Sequence, residues 1–184
     1  MQQSADNRSA VAIRWVSLAM VGITGLLMAG IAAVYLNLWF DRPTLIAIIE
    51  AEILTPGTPY RLSDPIAAAW LSIAALPTAL SLWGLWNALK LFLGYREGAV
   101  FTEIAGRRLT YMGIALAMTP LAQILMTAAT SVLLTMHNQV GQRQLTISMT
   151  ETHLVVGVAG AMLLVIGWVL AEAARLAEDN RQIV

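Results

Sequence analysis

A chain of 184 residues with 58% hydrophobic and 12% charged residues holds about half the charge of a soluble domain, for which about 25% is typical, and that is too little to coat a water-facing surface. Eleven Lys and Arg against 11 Asp and Glu give a formal net charge of zero, so nothing draws the chain as a whole to nucleic acid. The absence of cysteine excludes disulfides, thiolate metal sites and thiol redox relays.

The polar stretch Met1 to Arg14 reads as a disordered or surface-lying tail. Val16 to Leu36 carries no charge and has about the 20 residues needed to cross a bilayer. A cleaved signal peptide would have a shorter apolar region, about 7–15 residues, and a small-residue cleavage site, whereas this run ends in Tyr35-Leu36-Asn37-Leu38-Trp39-Phe40. A retained first span, 16–36, is the expectation. In the following connection Pro43 suits the first position of a helix, and Leu45, Ile48, Ile49 and Ile53 recur at helical spacing. A short amphipathic helix over 44–54, lying on the outer leaflet, is predicted. Thr55-Pro56-Gly57-Thr58-Pro59 ends it, and Asp64 before Pro65 is the expected N-cap of the next helix.

The second span, 66–89, is interrupted only by Pro77. A basic turn over 90–108 follows, with Gly94 and Gly98 to reverse the chain, Thr102 as N-cap and Glu103 placed to favour a helix start. The third span, 109–136, contains Pro120. In the second outer loop Leu145, Ile147 and Met149 alternate with Thr146, Ser148 and Thr150, which predicts a short strand or a hairpin with the residues before Gly141. The fourth span, 154–171, runs on into a polar tail over 172–184. The fold class is therefore all-α and integral to the membrane: one domain, a four-helix up-down bundle.

Orientation follows from the basic residues. The N-terminal tail, the turn and the C-terminal tail hold eight Lys and Arg, and the two outer loops hold three, Arg42, Arg61 and Arg143. Both termini should be cytoplasmic. The Trp positions agree, with Trp15, Trp83, Trp86 and Trp168 near the inner ends of spans and Trp39 and Trp70 near the outer ends.

The spans contain no Asp, Glu, Lys, Arg or His, which argues against a proton-coupled carrier and against a haem held by buried histidines. No nucleophile-base pair, phosphate loop or paired-carboxylate site is present, so neither an enzyme nor a cofactor is expected. His137, His153 and Glu151 bracket one loop, and their ordinary reading is interfacial side chains rather than metal ligands. On the third span Thr119, Gln123, Thr127 and Thr130 or Ser131 share one stripe. Interhelical hydrogen bonding, about 0.6–2 kcal/mol per contact, is its structural reading, and the lining of a small pathway or crevice its functional one. Small residues at spacing four, Gly25-Ala29-Ala33 and Gly157-Ala161, suit close packing within the bundle ahead of a homodimer contact.

The inner face is different. Arg96, Glu97, Phe101, Arg107 and Arg108 on the turn lie opposite Glu172, Arg175 and Glu178 on the tail. Topology-setting charge and anionic-lipid binding, about 1 kcal/mol per basic residue, account for the arginines but not for the glycine and phenylalanine spacing. Salt bridges between turn and tail would contribute little each. These residues form a candidate docking face.

The run Phe92-Leu93-Gly94-Tyr95-Arg96-Glu97-Gly98-Ala99-Val100-Phe101-Thr102, with Arg107-Arg108-Leu109 and Gly113, resembles the signature turn of a family of small four-span bacterial proteins catalogued as domain of unknown function 2975. The segment Glu172 to Asn180 is similar to that family's closing segment, whereas Gln182-Ile183-Val184 departs from its usual ending. The resemblance implies an inner-membrane protein without an established activity, often encoded beside small Cro-like helix-turn-helix regulators. Together these observations favour a non-enzymatic regulatory or scaffold protein whose inner face docks a cytoplasmic transcription regulator. The alternative is a small channel or carrier subunit using the polar stripe of the third helix.

Overall fold

A computed structural model describes residues 2–52, 59–60, 62–139 and 141–181. Five helices make up the chain: α1 (Gln2–Asn37), α2 (Arg42–Glu52), α3 (Asp64–Arg96), α4 (Glu103–Thr135) and α5 (Glu151–Arg181), with no strand among the described residues. The long helices pack in a row, α1 on α3, α3 on α4 and α4 on α5. Four of them are long and apolar enough to cross a membrane, α1 over Arg14–Asn37. Their outward faces fit that solvent: Leu26 is 76% exposed, Val155 67% and Trp168 67%. In water a surface of this kind would associate or aggregate.

The N-terminal residues are helical from Gln2, continuous with the span, rather than a separate tail. Gln2 to Ile13 contains neither Gly nor Pro, and extending an existing helix avoids the cost of nucleating a new one. The helix over 42–52 is present, but Leu45 and Ile49 on it are fully buried rather than laid on a leaflet. They insert among Ile66, Trp70 and Leu71 of α3 and Leu134 of α4, and so form a plug across one end of the row. Asp41 caps the plug, accepting hydrogen bonds from Thr44 N–H at 3.3 Å and Thr44 Oγ1 at 2.6 Å. Arg42 pairs with Asp64 at the start of α3, and Tyr60 donates to Glu50 at 2.8 Å. The expected helix stop at Thr55 to Thr58, Arg61 and the closing Gln182-Ile183-Val184 lie outside the described residues.

The N-cap of α3 is Ser63 rather than Asp64, with the proline in the first turn. Trp70, placed by its sequence position at an interface, is 2% exposed because the plug covers it. The alternating stretch 145–150 is extended but joins no ladder: Thr146 N–H donates to Ser131 Oγ at 2.9 Å and Gln144 N–H to Thr135 Oγ1 at 3.0 Å. Hydroxyls on α4 thus take the place of a neighbouring strand.

Close packing falls on glycines other than Gly25 and Gly157, whose Cβ positions meet open space. On α4 a Cβ at Gly113 would lie 2.3 Å from Leu164 N and one at Gly106 2.4 Å from Ala171 N. On α5 a Cβ at Gly160 would lie 2.4 Å from Ala117 N and one at Gly167 2.4 Å from Thr110 N. These contacts climb one helix as they descend the other, so α4 and α5 are antiparallel with their backbones touching. A spacing of seven on each helix matches a left-handed crossing of about 20°.

Candidate functional site

Two regions gather the polar residues. At the turn end, α3 closes with Glu97 N–H donating to Gly94 O at 3.1 Å and Ala99 N–H to the same oxygen at 3.0 Å. Gly98 reverses the chain at φ +89, a conformation disfavoured for other residues, whereas Gly94 stays within α3. Thr102 caps α4 by accepting from Ala105 N–H at 3.2 Å, with Glu103 in the first turn. Arg108 donates to Lys90 O, and Lys90 Nζ sits 4.8 Å from the Trp86 ring centroid. The result is a braced platform that leaves Phe101 82% and Ile104 62% exposed.

The contact of Gly106 with Ala171 sets the start of α4 beside the point where the polar part of α5 begins, so Arg107, Arg108, Glu172 and Arg175 share one end of the molecule. Arg107 pairs with Glu103 at 2.5 Å and Arg175 with Glu172 at 2.7 Å, each within its own helix rather than between turn and tail. Partners one turn apart are the nearest available, and such exposed pairs are worth about 0.3–0.5 kcal/mol. Glu178 lies further along the same polar helix and Arg96 at the last turn of α3.

The second region lies toward the plug. A cavity of about 1030 Å³ is walled by α1 (Leu26, Leu27, Gly30, Ile31, Val34), α3 (Trp70, Ala74, Thr78, Ser81) and α4 (Gln123, Met126, Thr127), with Ser148, Thr150 and His153 also lining it. The predicted polar stripe divides here. Gln123 and Thr127 face the cavity, while Thr119 is outside its lining and donates to Ala115 O at 2.8 Å. Thr130 is fully buried and its hydroxyl has no partner; Ser131 beside it holds the extended segment. The cavity's walls reach no further toward the turn than Leu26, Ser81 and Gln123. Beyond that level α3 meets α4 closely, a Cβ at Gly84 falling 2.9 Å from Ala115 Cβ, and the glycine seam joins α4 to α5.

Thr150 and His153 were not expected to act together. Thr150 N–H donates to His153 Nδ1 at 3.2 Å and His153 N–H to Thr150 Oγ1 at 3.4 Å, a capping box with His in the place of the usual Glu or Gln. The T-x-x-H spacing ahead of an apolar run was the signal available. Thr78 and Trp70 carried no such signal, because only the packing of α3 on α4 makes them neighbours of Gln123. Among the described residues, no group of three His, Asp or Glu comes close enough to hold a metal ion.

Comparison with protein families gives one finding: the family described as "Protein of unknown function (DUF2975)" matches residues 45–184, from the plug through the turn to the tail. No curated protein and no solved structure matches.

Proposed function

The chain belongs to the DUF2975 family, and from its geometry we propose a non-enzymatic regulatory or scaffold protein of the bacterial inner membrane, with both termini in the cytoplasm. The basic residues support that orientation, being concentrated on the two tails and the turn. The partner would be a cytoplasmic protein, in the first instance a small helix-turn-helix regulator kept at the membrane, and not nucleic acid itself. A second copy of the chain could use Gly25, Ala29 and Ala33 on α1.

The observation that carries this reading is the platform at the turn. An aromatic and an aliphatic side chain stand exposed on a turn braced by Thr102, Gly98 and Arg108, framed by paired charges. Rigid apolar anchors with a charged rim are what a docking surface needs. The channel or carrier reading draws on Gln123 and Thr127, which do line a cavity. That cavity gives way toward the turn to the tightly packed α3, α4 and α5, so its lining supports a pocket better than a path.

The test is capture of partners from membranes by cross-linking to the wild type, to Phe101→Ala and to Arg107→Ala/Arg108→Ala. A cytoplasmic protein captured by the wild type should fall by about tenfold with Phe101→Ala, the loss of one hot-spot anchor. Equal capture by all three proteins, each still in the membrane, would sink the docking face.

A further inference from the structure

The hydrogen-bonding inventory of the cavity specifies a ligand. Gln123 lines it as an exposed side chain, and among the described residues nothing partners its carboxamide. The nearby hydroxyls are in the opposite condition. Thr78 Oγ1 donates to Ala74 O at 2.9 Å, Ser81 Oγ to Pro77 O at 2.9 Å and Thr127 Oγ1 to Gln123 O at 3.0 Å. With their protons committed to their own helices, these three oxygens can only accept. Trp70, in the same wall and 2% exposed, keeps an indole N–H without an acceptor. No Asp, Glu, Lys or Arg lines the cavity, and His153, whose Nδ1 already accepts from Thr150 N–H, is the one basic side chain in its lining.

An uncharged occupant with acceptors for the Gln123 amide and several donors for the three hydroxyl oxygens matches this lining. A simple ester or a quinone has acceptors only, whereas a head with several hydroxyls has both. The α1 side of the cavity (Leu26, Leu27, Ile31 and Val34) offers an apolar wall for a hydrocarbon chain. We propose that the crevice between α1, α3 and α4 binds a monoacylglycerol-type lipid, its glycerol head at Gln123, Ser81 and Thr127 and its acyl chain along α1. This rests on the helices lying in a membrane and is independent of the docking face.

The experiment uses the full chain in phosphatidylcholine vesicles and a monooleoylglycerol carrying a diazirine on its acyl chain, with cross-linked positions mapped by peptide mass spectrometry. Two variants accompany the wild type. Gln123→Leu removes the carboxamide, and Gly30→Leu adds bulk to the cavity wall at a position whose Cβ meets nothing within 4 Å. Label is expected on α1 between Leu26 and Val34. Excess monooleoylglycerol should compete it away and methyl oleate, which has no donor, should not. Each variant should cut labelling by about fivefold, the effect of one lost anchor. The proposal is overturned if methyl oleate competes equally, if both variants label like the wild type, or if label falls only on outward residues such as Val155 and Val158. Flotation of the same samples separates the two readings. A protein that does not float with the vesicles refutes the membrane placement, and one that floats without labelling the crevice refutes the ligand alone.

Discussion

The seam between α4 and α5 and the plug formed by α2 are both tightly packed, yet they use opposite residues. The seam is made of absences: Gly106, Gly113, Gly160 and Gly167 let two backbones touch. The plug is made of bulk, with Leu45, Ile49, Trp70 and Leu134 filling one cluster. The proposed membrane setting would account for the difference. Between helices in hydrocarbon, an apolar side chain gains nothing by leaving lipid for protein, so close van der Waals approach and backbone proximity would supply the association. In the plug, Leu45 and Ile49 come from α2, which lies outside the four apolar spans, and burying such side chains out of water would stabilise by about 1.5–3 kcal/mol each. The crevice lies where α1, α3 and α4 face one another without a glycine seam between them.

Breaking the seam should have the largest effect. In Gly113→Val the new Cβ would sit 2.3 Å from a backbone nitrogen of α5, and no rotamer change can relieve that overlap. The helices must separate, at a cost of about 3 kcal/mol or more, the upper end for overpacked sites. Gly25→Val, facing open space, should change stability by less than about 0.5 kcal/mol. Thermal unfolding in detergent measures both. Equal losses would show that the seam is no tighter than the bare face of α1. In the plug, Ile49→Ala leaves a hole in a fully buried cluster and should cost about 2–5 kcal/mol. The loss should appear as faster hydrogen exchange in α2 and the 144–146 segment, with the seam still protected.

Much of this architecture can be read from residue types alone. Span length and hydropathy place the four long helices, and Thr102, Gly98 and the helical spacing of Leu45 and Ile49 mark real local structure. What the chain hides is which apolar face meets protein and which meets lipid, because both are apolar in a membrane. Gly25-Ala29-Ala33 and Gly106…Gly113 are equally small, and only the second set meets a neighbour. Alternation over 145–150 signals a strand, but the partner hydroxyls, Ser131 and Thr135, sit on a helix. Gln123 and Thr127 were recognisable as one stripe. Their grouping with Ser81, Trp70 and α1 needs tertiary contacts that no local pattern encodes.

The smallest effect belongs to the cap of the plug, and its sign follows from one carboxylate. Two hydrogen bonds from Thr44, the side-chain one the larger cause, hold the Asp41 pKa below its ordinary value of 3.8. A carboxyl with a depressed folded pKa contributes stability that is fully present above the unfolded value and is lost as pH falls through the folded one. The plug should therefore be insensitive to this group at neutral pH and loosen in acid below 3.8. Because Asp41 lies in contact with water, the change should be confined to fraying at the start of α2, while the buried Leu45 and Ile49 hold the rest in place. Hydrogen exchange at residues 42–45 across that range, compared with Asp41→Asn, reads it directly. The variant keeps a capping oxygen but cannot titrate, so its profile should be flat where the wild type bends. A bend of the same size in both proteins would assign the acid response to another group and leave the plug held by its apolar contacts alone.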